Sequence, residues 1–150
     1  MVREFENSDS VAVKELILSI LEDEYPFDRT AYSDSDINDI SGTYKGARND
    51  FFVCELDNKI VGTAGIKEDT SKTALLRRIF VNKKQRGKGI GKELLNKCVW
   101  FCKDHGYKEI VFRATDRMKS AMALMEKNGF KKVESLELGG FHIHMFKLEL

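Results

Sequence analysis

The chain has 150 residues, of which 33% are charged and 42% hydrophobic, with a formal net charge of +1. That length suits a single domain, 1–150, with a real core, and the neutral total gives no general reason to expect nucleic acid or a membrane as partner. There is no apolar run near the ~20 residues of a membrane span, no signal-peptide core at the N-terminus, and an odd count of three cysteines, so a reduced cytoplasmic protein is expected.

In chain order, residues 2–5 fit a short first strand. Ser8 or Asp9 is placed to cap a helix whose apolar stripe is Leu16, Ile17, Ile20 and Leu21. Pro26, the only proline, closes that helix. Residues 34–40 suit a second, short helix capped by Ser33 or Ser35, with Ser41-Gly42 and Lys45-Gly46 in loop. Residues 51–56 and 60–66 form a hairpin around Asp57-Asn58-Lys59. Residues 75–81 form a further strand, apolar except for Arg77 and Arg78. A long helix carries Ile90, Leu94, Leu95, Cys98, Val99 and Cys102 at helical spacing and ends near His105-Gly106. Residues 109–114 alternate as a strand. Asp116 is placed to cap a helix bearing Met118, Ala121, Met122, Leu124 and Met125, which Asn128-Gly129 ends. Residues 130–136 and 141–148 make two last strands around Gly139-Gly140.

The stretch from Arg77 to Lys92 holds seven Arg or Lys and no acid. It runs strand, glycine turn, helix. Gly87, Gly89 and Gly91 allow close backbone approach where a helix start offers unpaired N–H groups and a positive dipole end, which is an anion site. Two phosphate motifs fail here. A Walker loop needs four residues between its first Gly and the Gly-Lys, whereas three separate Gly87 from Gly91. A dinucleotide fingerprint needs a glycine at position 92, which is Lys.

The pattern that fits is Arg-x-x-Gly-x-Gly, written Arg86-Gly87-Lys88-Gly89-Ile90-Gly91. Between a strand and a helix it resembles the acyl-CoA loop of the GNAT superfamily of N-acetyltransferases. The later helix ending Asn128-Gly129-Phe130, the hairpin with Val61-Gly62-Thr63-Ala64-Gly65, and the element order carry the resemblance over almost the whole chain.

The resemblance implies an α+β fold: a mixed, mostly antiparallel twisted sheet of about seven strands flanked by about four helices. It implies acetyl-CoA as co-substrate and a primary amine of a small molecule or peptide as acceptor, acetylated by direct attack in a ternary complex. The loop amides of Gly87, Lys88, Gly89, Ile90 and Gly91, with Arg86 and Lys92, would hold the CoA pyrophosphate. Lys83 and Lys84 lie nearby. A backbone N–H within Ile79, Phe80 and Val81 would face the thioester carbonyl, in the gap where the family parts this strand from the next. Pairing of the last two strands between subunits, common in the family, makes a homodimer an expectation.

The sequence departs from the family at two places. The usual glutamate base aligns with Leu75 and the usual tyrosine acid with Met125, so no catalytic residue is assigned. Glu68, Asp69, Asp116 and His144 lie near the relevant strand ends. These departures keep a second hypothesis in view: an acyl-CoA-binding sensor or structural module with little turnover. A nucleic-acid binder using the basic loop fits the neutral total charge poorly.

Other features have plainer explanations. Cys98 and Cys102 fit buried thiols. His142 and His144 share a strand face, but no Cys or carboxylate accompanies them at ligand spacing, so no metal is expected. The methionine stripe fits core packing, with Met125 also facing the thioester end. Tyr25, Phe27, Tyr32 and Tyr44 flank the first two helices, as an aromatic wall for an amine or as loop anchors. The run Glu22-Asp23-Glu24 fits a solvated helix end. Residues 1–57 hold 5 basic against 14 acidic side chains and residues 58–150 hold 20 against 10, an asymmetry that suits an amine on one side and phosphates on the other.

Overall fold

A computed structural model of the chain describes residues 1–28 and 33–150. Among the described residues there are seven strands, β1 (Val2–Glu4), β2 (Asp50–Leu56), β3 (Lys59–Glu68), β4 (Thr73–Val81), β5 (Glu109–Thr115), β6 (Lys131–Leu138) and β7 (Phe141–Glu149), and four α-helices, α1 (Ser10–Glu24), α2 (Ile40–Thr43), α3 (Ile90–Asp104) and α4 (Lys119–Lys127). The strands form one sheet in the order β1-β2-β3-β4-β5-β7-β6, antiparallel throughout except for the parallel pair β4–β5. This is the expected mixed, mostly antiparallel sheet with four helices.

Strand alternation explains why both faces are covered. Phe52 meets Phe101 of α3 edge-on at 5.9 Å, while its neighbour Phe51 meets Tyr44 on the other face at 5.0 Å. On β3, a Cβ at Gly62 would strike Leu94 of α3 at 2.9 Å, and one at Gly65 would strike Phe51 and Tyr44 at 2.8 Å. Both glycines are small because a helix or an aromatic ring lies directly on the strand. Cys98 and Cys102 are buried on α3, and burial pushes the Cys102 thiol up to about 12.

Several local expectations shift. α1 starts at Ser10, after a 3-10 turn over Asn7–Asp9, and the Asp9 carboxylate accepts from the Glu6 N–H at 2.8 Å and from Arg3. The second helix begins at Ile40, not at residue 34. Asp39 is its cap, accepting from the Gly42 N–H at 3.0 Å, so Ser41-Gly42 is helical. Ser33 and Ser35 bond each other at 2.9 Å instead of capping a helix. Asp116 does not cap α4 either. Met118 occupies that position with no side-chain cap bond, and Asp116 turns to His144.

Candidate functional site

Strands β4 and β5 run together for four pairs only, Thr73↔Glu109 to Leu76↔Phe112. Beyond Leu76 they part. A cavity of about 850 Å³ opens in that fork, lined by Leu75, Arg77 to Val81, Val111 to Arg113, the glycine loop, Leu21 of α1 and Tyr25 just after it, and Ala121, Leu124 and Lys127 of α4.

The parting has a cause in β4. The β3–β4 register slips between Thr63 and Gly65, and Arg78 takes a left-handed conformation at φ 54°. An arginine there is strained, and four hydrogen bonds to three partners hold it. Its Nε and Nη2 donate to Asp36 Oδ2 and Oδ1 at 2.9 and 2.7 Å, and Nη2 also donates to the Ser33 carbonyl at 2.7 Å. Its own carbonyl accepts from Thr63 Oγ1 at 2.8 Å. Asp36 is 2% exposed and also accepts from Tyr44 Oη at 2.9 Å. Burial pushes the Asp36 carboxyl up, but Arg78 and Arg77 outweigh it and hold the group below its ordinary range.

At its end, β4 turns one backbone donor into the fork. The Asn82 N–H donates to the Val61 carbonyl, which makes Gly62↔Val81 a pair whose own backbone groups face away from each other. The Val81 N–H and carbonyl therefore point away from β3, and the carbonyl accepts from Arg86 Nε at 3.0 Å.

The loop has the geometry its glycines suggest. Gly87 and Gly89 adopt φ of 79° and 82°, and nothing lies within 4 Å of where their Cβ atoms would sit. Gly89 caps α3, so the free N–H groups of the first turn open beside this space. Gly91 differs: a Cβ there would meet Leu124 of α4 at 3.2 Å.

Of the sequence-predicted residues, Ile79, Phe80, Val81, Arg86, Gly87, Gly89, Ile90, Gly91 and Lys92 line the cavity. Lys88 is exposed outside it, its Nζ bonded to Gln85 at 2.8 Å. Arg86 is held by Glu24 in a two-pronged pair, Nη2 to Oε2 at 2.7 Å. Glu24 is thus the brace of the loop and not part of a solvated helix end. Leu75 lines the cavity, but Met125 is fully buried and does not, leaving Leu124 at that wall.

Tyr25 lines the cavity, Tyr44 is anchored to Asp36, and Phe27 lies exposed beneath the Arg117 guanidinium at 5.5 Å. Tyr32 lies outside the described residues. Among the described residues the charged groups lining the cavity are Arg77, Arg78, Arg86, Lys92, Arg113 and Lys127, with no acid and no histidine. Glu68 is paired with Arg48 at 2.9 Å.

Sequence reasoning missed Asp36, Thr63 and Asp28, which accepts from Thr115 Oγ1 at 2.8 Å and Arg117 at 2.7 Å. One signal was present. Two consecutive arginines in an otherwise apolar strand are hard to keep in water together, so a buried acid is needed near them, and Asp36 meets both. Among the described residues no helix is long and apolar enough to cross a membrane.

Residues 14–130 match the model of the Acetyltransferase (GNAT) family. Human N-acetyltransferase 8 is 35% identical over 104 residues, which is 65% of this chain and 46% of that protein. The probable N-acetyltransferase camello of Xenopus tropicalis is 33% identical over 100 residues, with the same shares. The chain spans about half the length of the curated relatives it matches. A GNAT-family acetyltransferase from Staphylococcus aureus Mu50 superposes with a TM-score of 0.86 at 26% identity, covering 99% of this chain and 98% of that one. A Salmonella typhimurium protein solved with its cofactor acetyl-CoA has the same fold, with a TM-score of 0.83 at 17% identity over 99% of this chain and 92% of that one. With its forked sheet, its glycine loop and this match, the chain belongs to the GNAT family of acetyltransferases.

Proposed function

We propose that the chain is a single-domain N-acetyltransferase that moves an acetyl group from acetyl-CoA to a primary amine of a small molecule or peptide, by direct attack with both substrates bound. The observation that carries this is the fork between β4 and β5, with glycine-lined anion space at one end and the Val81 N–H turned into it. Acetyl-CoA supplies an activated acyl group with a good thiolate leaving group.

The chain's own residues would do the rest. The amides of Gly87 to Gly91 and the Lys92 ammonium would hold phosphate oxygens. Arg86, tied to Glu24 and to the Val81 carbonyl, fixes the loop relative to α1 and β4. Of the expected residues, Val81 would present backbone to the pantetheine arm, while Phe80, paired with Thr63, turns its backbone groups to β3; a donor at Val81 meets negative charge developing on the thioester oxygen. The basic lining of the fork, offset in part by Asp36 and Glu24, disfavours a protonated amine and so promotes its neutral, nucleophilic form.

A second reading is favoured by one observation: no acid or histidine lines the cavity among the described residues. It makes the chain an acyl-CoA sensor with little turnover. Thiol release from acetyl-CoA against a panel of amines separates the two. Amine-dependent release is expected. Acetyl-CoA that protects the protein against heat without release on any amine would favour the sensor, and absence of both would overturn the acyl-CoA assignment.

A further inference from the structure

Away from the cavity, the β5–α4 turn meets the β6–β7 hairpin at a cluster the acyl-transfer proposal does not use. The Ala114↔His144 and Thr115↔Ile143 pairs bring the end of β5 alongside β7, and Asp116 is the next residue. His142 and His144, two apart, project from the same side of β7. The three side chains each offer a ligand atom, and these atoms lie within 4.8 Å of one another. His144 Nε2 bonds Asp116 Oδ1, and His142 Nδ1 lies 3.3 Å from Asp116 Oδ2. The two rings lie 4.5 Å apart, centroid to centroid.

A fourth residue orients the set. On β6, Ser135 stands opposite His144, and its Oγ is 3.0 Å from His144 Nδ1. Nε2 faces Asp116; with the hydroxyl accepting from Nδ1–H, an ion would take the place of the Nε2 proton that bonds Asp116, the arrangement in which a ligating histidine is held by a partner on its other nitrogen. His144 is buried, so its ring is fixed by the sheet, while Asp116 and His142 are exposed and give an ion a path in. The carboxylate that local sequence spacing lacks is supplied by the fold from 26 residues before His142.

We propose that Asp116, His142 and His144 form a binding site for one divalent transition-metal ion of the Zn2+ class, with Ser135 setting the tautomer of His144. Two imidazole nitrogens and one carboxylate oxygen suit Zn2+, Co2+ or Ni2+, and suit Mg2+ or Ca2+ poorly because those ions prefer oxygen. Three protein ligands leave a coordination position for water. The ion would clamp the β5–α4 turn to the hairpin. Thr115 and Arg117, on either side of Asp116, both hold Asp28, so the clamp would also steady Asp28.

The test uses the full chain without a histidine tag, stripped with a chelator and titrated with Co2+. Visible Co2+ absorption should saturate at one ion per chain and be displaced by Zn2+. Asp116→Asn and His142→Gln alter exposed side chains, and circular dichroism will show that both remain folded. Each should weaken Co2+ at least about tenfold, and Ser135→Ala should weaken it by about tenfold while keeping the same spectrum. No saturable absorption in the unaltered chain would overturn the proposal. Undiminished binding in folded Asp116→Asn and His142→Gln chains would overturn it equally, by placing the ion elsewhere.

Discussion

Arg78 and Asp36 lie 42 residues apart in sequence, yet the guanidinium of one grips the carboxylate of the other through bonds of 2.9 and 2.7 Å, both groups nearly out of reach of water. The pair fastens the segment between α1 and α2 to the point where β4 bends away from β5. Asp36→Asn keeps the shape but leaves Arg78 buried with no counter-charge. The expected cost is about 3–5 kcal/mol by urea unfolding at neutral pH, whereas an exposed acid would cost well under 1. The sign with pH follows from the lowered carboxyl. Its contribution is complete above the unfolded value of about 3.9 and is lost as pH falls through the lower folded value. The Asn protein should lack this component of its acid unfolding curve.

Arg86 and Glu24 give a test of loop bracing. Both are partly exposed, at 31% and 20%, so the pair itself is modest in energy. Glu24→Gln should lower stability by about 1 kcal/mol, a fall in Tm of about 3 °C. Its larger effect should be on acetyl-CoA, with a several-fold rise in KM and little change in kcat. Arg86→Ala also frees the Val81 carbonyl and should raise that KM by about tenfold. Steady-state kinetics with acetyl-CoA varied at saturating amine will show whether the change sits in KM.

A cavity without a carboxylate or imidazole wall makes a statement about pH. The rate at low amine concentration should climb about tenfold per pH unit from neutrality toward the amine's own pKa, about 10.4 for a lysine-like acceptor. The measurement is kcat/KM for the preferred amine across that range. A plateau beginning near pH 7 would reveal a proton acceptor that the lining residues do not include.

Asp50, at the start of β2, titrates in the opposite sense to Asp36. Burial, with Glu4 beside it, pushes its carboxyl up to about 6. A raised folded value means that the folded chain holds a proton the unfolded chain has released. Stability is therefore greatest below about 4 for this group and falls as pH rises to about 6. Asp50→Asn keeps an oxygen for the Phe51 N–H, now bonded at 2.8 Å, and removes the penalty. Thermal unfolding should show a gain of about 1 kcal/mol at pH 7 to 8 that disappears near pH 3.5.

What could be read from the sequence was local. Gly87 and Gly89 announce positive φ and open space, and both have them. The alternation in β2, β3 and β5 and the apolar stripe of α3 fix those elements from their own residues. What could not be read depends on partners far along the chain. The serines beside Asp36 suggest a capped helix, whereas its partner is an arginine on β4. The amphipathic stretch after Asp116 suggests a helix cap, but two histidines on β7 compete for it and win. A helix end with three acids suggests that Glu24 lies in solvent, but Arg86 holds it. In each case an acid pairs with a distant cation or imidazole in place of the setting its neighbours suggest, a choice that spacing along the chain does not encode.

Among the described residues, the four residue pairs that join β4 to β5 are also the one ladder linking the two halves of the sheet. The molecule is therefore a hinged book, bound along part of its spine and open over the rest. A molecule seated in the opening would complete the spine, and the halves would then resist separation as one body. Occupancy and rigidity would be coupled for an occupant that bonds to both open strand edges, because it would finish the sheet.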